Sequence, residues 1–534
     1  MTKGVIEEVE FPVVYDILVA AELGALLREC KVPGLTVTEK SGQVATNQDE
    51  LERILEEVGD KYAFAGAIKR FREVSKALGT YLLPIIEDCA PDHTLKVEFN
   101  AHSIETGRFN APSSKNPKVD GGTSLPFHGI PATYDPKRPE CMARIRECII
   151  ARPGKYIVAI DFSGVELRIV TNLSGEPRWL REFFHCTGCD KVFPGGDGTE
   201  TPPAPPAYCP DCGSDRIGDL HTLTGVALFG EAATHQADWK DKRKDAKAVN
   251  FALVYGGGGN AVVTSIGCDK AEGWRLKEQF DKTYRVLAMW WKDQVKFAKE
   301  HKFVRTAFGR RYPLPDIDHE MGGFRSKAER NAVNGPVQGL SADITKLAMG
   351  LIYKECKARG WLEKVHMLIT MHDELVFEID KDILEEAIDL FLEIMCRNSA
   401  LLRLKFPVPL TSDVEIGHSW IVPWHLGKMR HKGECVPELA GCFKGLRVKG
   451  DRNPDVVEAG GVAKEAVKKT QVIYQISTFG TGEVERMATF LSKSITPGGS
   501  PLKVVGPTGD DLTGLFSSVW GGTVPEVEGP NESS

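Results

Sequence analysis

The tightest constraint on this chain is an apolar run that ends on an acid. Tyr156 to Ile160 (YIVAI) reads as a buried strand, and Asp161 follows it directly. A second acid, Asp373, sits with Glu374 in the middle of HMLITMHDELVFEI, whose length and acid-rich centre are those of a β-hairpin. A carboxylate at the end of a buried strand is costly unless opposite charge or hydrogen bonds satisfy it. Two unrelated turn caps meet that need, and so does a pair of acids holding hard Mg2+ ions through oxygen ligands.

Around these segments the pattern is helical. Asn47 or Gln48 starts a helix with Leu51, Ile54 and Leu55 as its apolar stripe, and residues 44–98 read as an all-helical region. Residues 99–150 are richer in Pro, Gly and Asn, with an irregular stretch over 111–135. HTLTGVALFG, residues 240–255 and residues 269–300 predict further helices, the second of them stopped by a glycine run. RTAFGRRYPLP predicts a turn or strand connection, residues 329–361 a helix with a break at Gly335-Pro336, and DILEEAIDLFLEIMCR another helix. The fold class is therefore mixed, α+β. Beyond residue 427, GVAKEAVKKTQVIYQI and GEVERMATFLSKSI each suggest a helix, and the last residues resemble a flexible tail.

A length of 534 residues suggests roughly 3 or 4 domain-sized units. Acids (74) outnumber Lys and Arg (67), giving a formal charge of -7, which excludes a small basic DNA-binding module without excluding DNA as a ligand. The opening MTKGVIEEVEFP carries acids where a secretory signal needs a basic and then an apolar stretch, and no run approaches about 18 apolar residues. The chain reads as soluble and intracellular, with no membrane partner.

Most of the 13 cysteines sit singly among apolar or helical residues and read as small buried hydrophobes. Cys186, Cys189, Cys209 and Cys212 differ: CTGC and CPDC form two knuckles separated by a 19-residue loop. Tight turns that gather four thiolates suit structural, tetrahedral Zn2+, with two disulfides or coincidental thiols as the alternatives. His185 and His221 flank the module but are not needed by a site that four thiolates complete.

Arg243, Lys247, Phe251 and Tyr255 recur every four residues, placing cations toward one end of a slowly turning helix face and aromatics toward the other. A solvated helix shows the same pattern. Phosphate recognition makes a sharper use of it, with the cations on a triphosphate and the aromatics near sugar and base.

Taken together, the motifs resemble those of the polymerase domain of the family A DNA polymerases, which include bacterial DNA polymerase I and relatives carried by phages. DFSGVELR resembles motif A, RKDAKAVNFALVYG motif B and MHDELVFE motif C; TGRFN, RIRECIIARPG and ERNAVNGPVQGLSADITKLAM add to the likeness in the intervening order, over about residues 28–425. The resemblance implies a right-hand polymerase with palm, fingers and partial thumb, interrupted by the zinc-ribbon-like insert. It implies a partial thumb and N-terminal region over 1–98, the approach to the palm with motif A over 99–184, the insert over 185–217, fingers with motif B over 218–312, and palm with motif C over 313–426. Residues 427–534 are an extension of unknown fold.

By the same resemblance, Asp161 and Asp373 hold two Mg2+ ions, with Mn2+ as a substitute, for adding deoxynucleotides from dNTPs to a primer 3′-hydroxyl with release of pyrophosphate. Glu374 and His372 belong to the catalytic and primer-end neighbourhood. His221, Arg243 and Lys247 contact the incoming triphosphate, Phe251 lies beside its sugar, Tyr255 lies where the helix meets the templating base, and Glu166 restricts a ribose 2′-hydroxyl. Arg108, Arg330, Asn334 and Gln338 lie around primer-template DNA, and Arg72 and Lys76 are thumb-like DNA contacts. Gly164 stands where the family usually has glutamine, which implies altered fidelity or primer handling rather than absent chemistry. The resemblance enters late in the thumb, so the chain is expected not to proofread. A separate exonuclease, thumb-completing or replication protein would be its partner, in the cytoplasm or nucleoid, or in the host cytoplasm if phage-encoded and serving viral DNA replication. The alternative function is a polymerase-like DNA-binding or replication scaffold that needs a partner or lacks autonomous catalysis.

Overall fold

The computed structural model describes residues 20–38, 42–47, 50–51, 53–54, 63–90, 93–111, 122–123, 125–131, 145–193, 208–215, 217–397, 404 and 406–449. The chain divides into two compact units, residues 1–97 with 112–149, and residues 98–111 with 150–534. No helix among the described residues is long and apolar enough to cross a membrane.

The first unit contains α1 (Ala20–Glu29) and a helical run made of α2 (Ala63–Lys76), a π-helical stretch Ala77–Leu82 and α3 (Leu83–Asp88). Its core gathers Leu23, Leu27, Val44, Leu51, Ile54 and Ile68. Asn47 is the helix start: its Oδ1 accepts from the Glu50 backbone N–H at 3.2 Å. Gln48 and Leu55 lie outside the described residues, as do the two helices suggested beyond residue 450. Hydrogen bonding from Arg53 outweighs desolvation and holds the Glu50 carboxyl down at about 2.

The second unit opens on β1 (Lys155–Phe162), which leads into α4 (Val165–Ser174) and α5 (Pro177–Glu182). After the cysteine-rich insertion come α6 (Leu220–Phe229), α7 (Trp239–Val254), α8 (Gly259–Ile266), α9 (Lys270–Thr283) and α10 (Arg285–His301). A short hairpin, β2 (Phe303–Arg305) and β3 (Arg311–Pro313), precedes the long α11 (Gly322–Ala358). Then follow β4 (Val365–Met371), β5 (Glu374–Asp380), α12 (Leu384–Leu392), β6 (Ser412–Gly417), β7 (Trp424–His425) and α13 (Leu426–Lys432). The main sheet has the order β4-β5-β1-β6-β7, so β1 is central, and this explains why its five residues Tyr156 to Ile160 are all apolar and buried.

One helical expectation is subdivided and another is corrected. Residues 269–300 form two helices, because Tyr284 leaves helical geometry at φ -112°, ψ 63° and is fully buried between α9 and α10. Glu176 serves both neighbouring starts: one carboxylate oxygen accepts from the Arg178 N–H of α5 at 3.3 Å, the other from the Val286 and Leu287 N–H groups of α10 at 3.2 and 3.3 Å. The break expected at Gly335-Pro336 does not occur, and α11 runs through it. Ala332, Val333, Pro336, Val337 and Leu340 are buried there, so packing offsets a local proline cost of about 3 kcal/mol. Space at the glycine is tight: a Cβ on Gly335 would sit 3.1 Å from Val304 Cγ2 of β2.

A buried charged network anchors residues 98–111 to α11. Arg310 donates from Nε to Asp343 Oδ1 at 2.7 Å and from Nη2 to the Thr106 and Gly339 carbonyls at 2.7 and 2.9 Å, while Lys346 donates to the Ala101 carbonyl at 2.7 Å. That anchoring fixes the segment bearing Arg108.

Replacing Glu176 by alanine orphans three buried or partly buried N–H groups, and is expected to lower unfolding stability by about 2–3 kcal/mol. Urea titration followed by circular dichroism measures it, and an unchanged midpoint would contradict the shared-cap account.

Candidate active site and metal centre

The sheet brings the two sequence-predicted acids to one end. Asp161 is opposite Glu374 in the β1–β5 register and opposite Asp413 in the β1–β6 register. The strand runs one residue beyond Asp161, to Phe162, and Asp161 keeps solvent access there although its surroundings withdraw much of the carboxylate from water. β4 and β5 are joined by only His372 and Asp373, and His372 takes a left-handed φ of +57°. That conformation costs a non-glycine residue roughly 1–2 kcal/mol. The Phe162 N–H donates to the Asp373 carbonyl at 3.4 Å, tying this turn to β1.

Partial removal from water, followed by the charges of Asp373, Glu374, Asp413 and Glu415, pushes the Asp161 carboxyl up to about 7. Burial and Glu166 raise Asp373 as well, with Arg108 opposing. Such an excess of oxygen donors and negative charge fits hard divalent cations.

Beside these acids, Glu166 in the first turn of α4 is nearly buried and takes two partners, Arg108 Nη2 on one oxygen and the Tyr255 hydroxyl on the other. Burial and then the Glu166 charge drive the Tyr255 phenol far above its ordinary range. The turn into α4 depends on Gly164, at φ +59°; a side chain there would meet no atom within 4 Å, but would carry a left-handed strain of about 1 kcal/mol.

The cationic face is assembled from α6 and α7. Asp219 caps α6, accepting from the Thr222 N–H at 3.1 Å, and its carboxylate also receives Arg243 through Nε at 3.1 Å and Nη2 at 2.9 Å. Lys247, one turn along α7, is exposed. Burial, then the nearby Lys247 and Arg243 charges, push His221 down to about 4, against an opposing pull from Asp219. The imidazole is therefore neutral, and with the buried Asn250 amide 3.1 Å from its Nδ1, the other nitrogen carries the donor hydrogen. The Phe251 ring lies 5.7 Å from the His221 ring and is partly exposed. Sequence reasoning missed Asp219 and Asn250; the helix-start pattern Asp-Leu-His-Thr carried the signal for the first.

Arg330, Asn334 and Gln338 recur at four-residue steps along α11, sharing one face, with Arg330 exposed and the other two half-buried. Asn334 Oδ1 is buried without a hydrogen-bond partner among the described residues. In the first unit, the Arg72 guanidinium is already engaged with the Thr46 carbonyl at 2.5 Å, whereas Lys76 is exposed.

The sequence profile of DNA polymerase family A matches residues 15–422. The chain belongs to this family. It is 30% identical over 386 residues to the thermostable DNA polymerase I of Thermus filiformis, covering 72% of this chain and 39% of that protein. Identity is 28% over 397 residues with the thermostable DNA polymerase I of Thermus aquaticus (74% and 40% covered) and 27% over 401 residues with DNA polymerase I of Bacillus subtilis (75% and 39%). The chain thus spans about two fifths of the length of these family A relatives. Its fold matches the POL domain of Pol1 from M. smegmatis, solved in complex with DNA primer-template and dNTP, with a TM-score of 0.59 and 23% identity over 76% of this chain and 61% of that one.

The cysteine-rich stretch between α5 and α6 gathers four thiols able to hold a metal. The Sγ atoms of Cys186, Cys189, Cys209 and Cys212 all lie within 4.8 Å of one another, with Cys186–Cys212 at 3.7 Å and Cys189–Cys209 at 3.6 Å. A disulfide needs about 2 Å. Four thiolates around a metal with bonds of about 2.3 Å have edges of about 3.8 Å, which these distances match. His185 stands apart from the set, 3.1 Å from Glu182 and 3.4 Å from Asp190. Tyr208, next to the second knuckle, stacks on His431 of α13 with ring centroids 3.8 Å apart and planes at 10°.

Cys186→Ser is expected to remove one equivalent of bound metal per chain and lower the thermal midpoint; retained metal and an unchanged midpoint would reject the four-cysteine centre. His221 yields a pH prediction. Its folded-state pKa lies below its unfolded value, so the unfolded chain binds more protons and stability falls as pH drops from about 6.5 to about 4. Urea midpoints across that range should show a slope that His221→Gln reduces.

Proposed function

We propose that the chain catalyses template-directed DNA synthesis, extending a primer 3′-hydroxyl with deoxynucleoside monophosphates from dNTPs. The observation that carries this reading is the meeting of Asp161 and Asp373 at one sheet end in a family A chain, with Tyr255 of α7 hydrogen-bonded to Glu166 alongside. Asp161 and Asp373 would hold two Mg2+ ions, or Mn2+, with Glu374 nearby; the bound ions supply Lewis-acid stabilisation of the attacking and leaving oxygens.

The protein's own groups do the positioning. Arg243 and Lys247 neutralise the triphosphate, and neutral His221 donates through its free ring N–H. Phe251 packs beside the sugar, Tyr255 stands at the templating base, and Glu166 occupies the space that a ribose 2′-hydroxyl would need. Arg108, Arg330, Asn334, Gln338 and His372 touch primer-template DNA through phosphates and minor-groove acceptors common to all base pairs, as a sequence-tolerant enzyme requires. In this reading the main sheet with α11 is the palm, α6–α10 the fingers and the first unit a partial thumb. Gly164 leaves one side-chain contact unmade, affecting fidelity more than rate. The four cysteines hold Zn2+ structurally, and the Tyr208–His431 stack supports a bracing role.

Primer extension with each deoxynucleotide alone and with all four tests the proposal. Metal-dependent, template-matched addition is expected, reduced by about 10²-fold or more in Asp161→Ala and in Asp373→Ala. DNA binding without any extension by the unmodified chain would favour the scaffold reading instead.

A further inference from the structure

Asp219 presents a paradox if α6 and α7 receive a triphosphate, since it puts a buried carboxylate among the groups meant to attract an anion. Its side chain is 5% exposed, and its bonding accounts for the charge. Oδ1 accepts from the Thr222 N–H at 3.1 Å and from Arg243 Nη2 at 2.9 Å. Oδ2 accepts from the Thr222 hydroxyl at 2.7 Å and from Arg243 Nε and Nη2 at 3.1 and 2.9 Å. The Thr222 hydroxyl also lies 3.1 Å from Arg243 Nε. Burial favours the neutral acid, but the Thr222 hydrogen bonds and the Arg243 charge outweigh it and keep Asp219 ionised, below its ordinary pKa.

One edge of the guanidinium is thus clamped, and Nη1 has no acceptor among the described residues on a side chain that remains 38% exposed. The clamp also joins two helices. Asp219 caps α6, which presents His221 two residues later, and grips Arg243 from α7, so it sets the spacing between a neutral donor and a fixed cation. A free arginine loses rotamer entropy on being ordered by a ligand, whereas a clamped one has lost it already. The carboxylate gives up some attraction for the anion and gains orientation.

We propose that Asp219 is a positioning residue for triphosphate recognition, acting through Arg243 by pre-orienting its guanidinium toward the incoming nucleotide. This rests on the polymerase reading above and adds a residue to it.

Asp219→Ser is the informative variant, because serine keeps the α6 cap but cannot clamp a guanidinium with two oxygens. It is compared with Arg243→Ala, the double variant and the unmodified chain, each measured for kcat and KM in single-nucleotide extension and for Kd of a dNTP with Mg2+ by calorimetry. Asp219→Ser should raise KM and Kd about 10-fold with little change in kcat, and should add nothing once Arg243 is absent. Asp219→Glu, which retains a carboxylate, should recover part of the loss. Equal Kd for Asp219→Ser and the unmodified chain, or effects that multiply in the double variant, would overturn the proposal. If the unmodified chain fails to extend primers, the activity reading falls, while the Kd cycle still decides whether Asp219 acts through Arg243.

Discussion

Asp161 on the central strand stands between Glu374 on one neighbour and Asp413 on the other, with Asp373 in the adjoining turn. Like charges held this close resist ionising together, and after burial, the larger cause, they add to what pushes the Asp161 carboxyl up to about 7. A sheet built for stability alone would avoid the arrangement. It persists because β1 is buried between β5 and β6 and the antiparallel pairing fixes the register; a shift of one residue would turn the apolar set to the wrong face. The Ser163 hydroxyl, donating to Asp413 at 2.8 Å, removes a little of the burden on one side.

The remaining site supplies positive or neutral partners without cancelling that charge. Arg108 is drawn to Glu166, and Arg243 to Asp219. Each of these arginines is paired with an acid other than Asp161 or Asp373. The histidine among the α6–α7 cations is kept neutral by burial and by the cations themselves. The Tyr255–Glu166 hydrogen bond joins the end of α7, which carries these cations, to the start of α4 beside the acids.

The two stretches outside the family motifs meet each other. Tyr208 of the cysteine module stacks on His431, and α13 continues from β7 at the edge of the main sheet. Residues just beyond the family match are also bound to that body: Tyr156 donates to the Glu438 carbonyl, Arg430 pairs with Asp389 at 2.8 Å, and the Lys444 N–H donates to Glu385 at 2.8 Å. The Tyr208–His431 stack therefore links the cysteine module to the helix that follows the edge strand β7, the neighbour of β6 with Asp413.

Much of this is legible in the sequence. The strand leading to Asp161, the hairpin around Asp373, a helix start at Asn47 or Gln48, the helix over residues 240–255 and the cysteine knuckles all rest on local periodicity, turn chemistry or spacing, which a chain carries whatever it packs against. The motif order carried the family. The sequence left undecided what depends on distant contacts. Tyr284 divides a continuous helical pattern because it is buried and the next helix is capped by Glu176, more than a hundred residues earlier. Pro336 fails to break α11 because β2 and the surrounding core hold that segment helical. Asp219 reads locally as a helix cap, and only the packing of α6 on α7 makes it the clamp on Arg243. Sequence determined which elements form and which chemistry they carry, while tertiary structure decided which charges face one another, because Coulomb and hydrogen-bond energies depend on distances that periodicity does not encode.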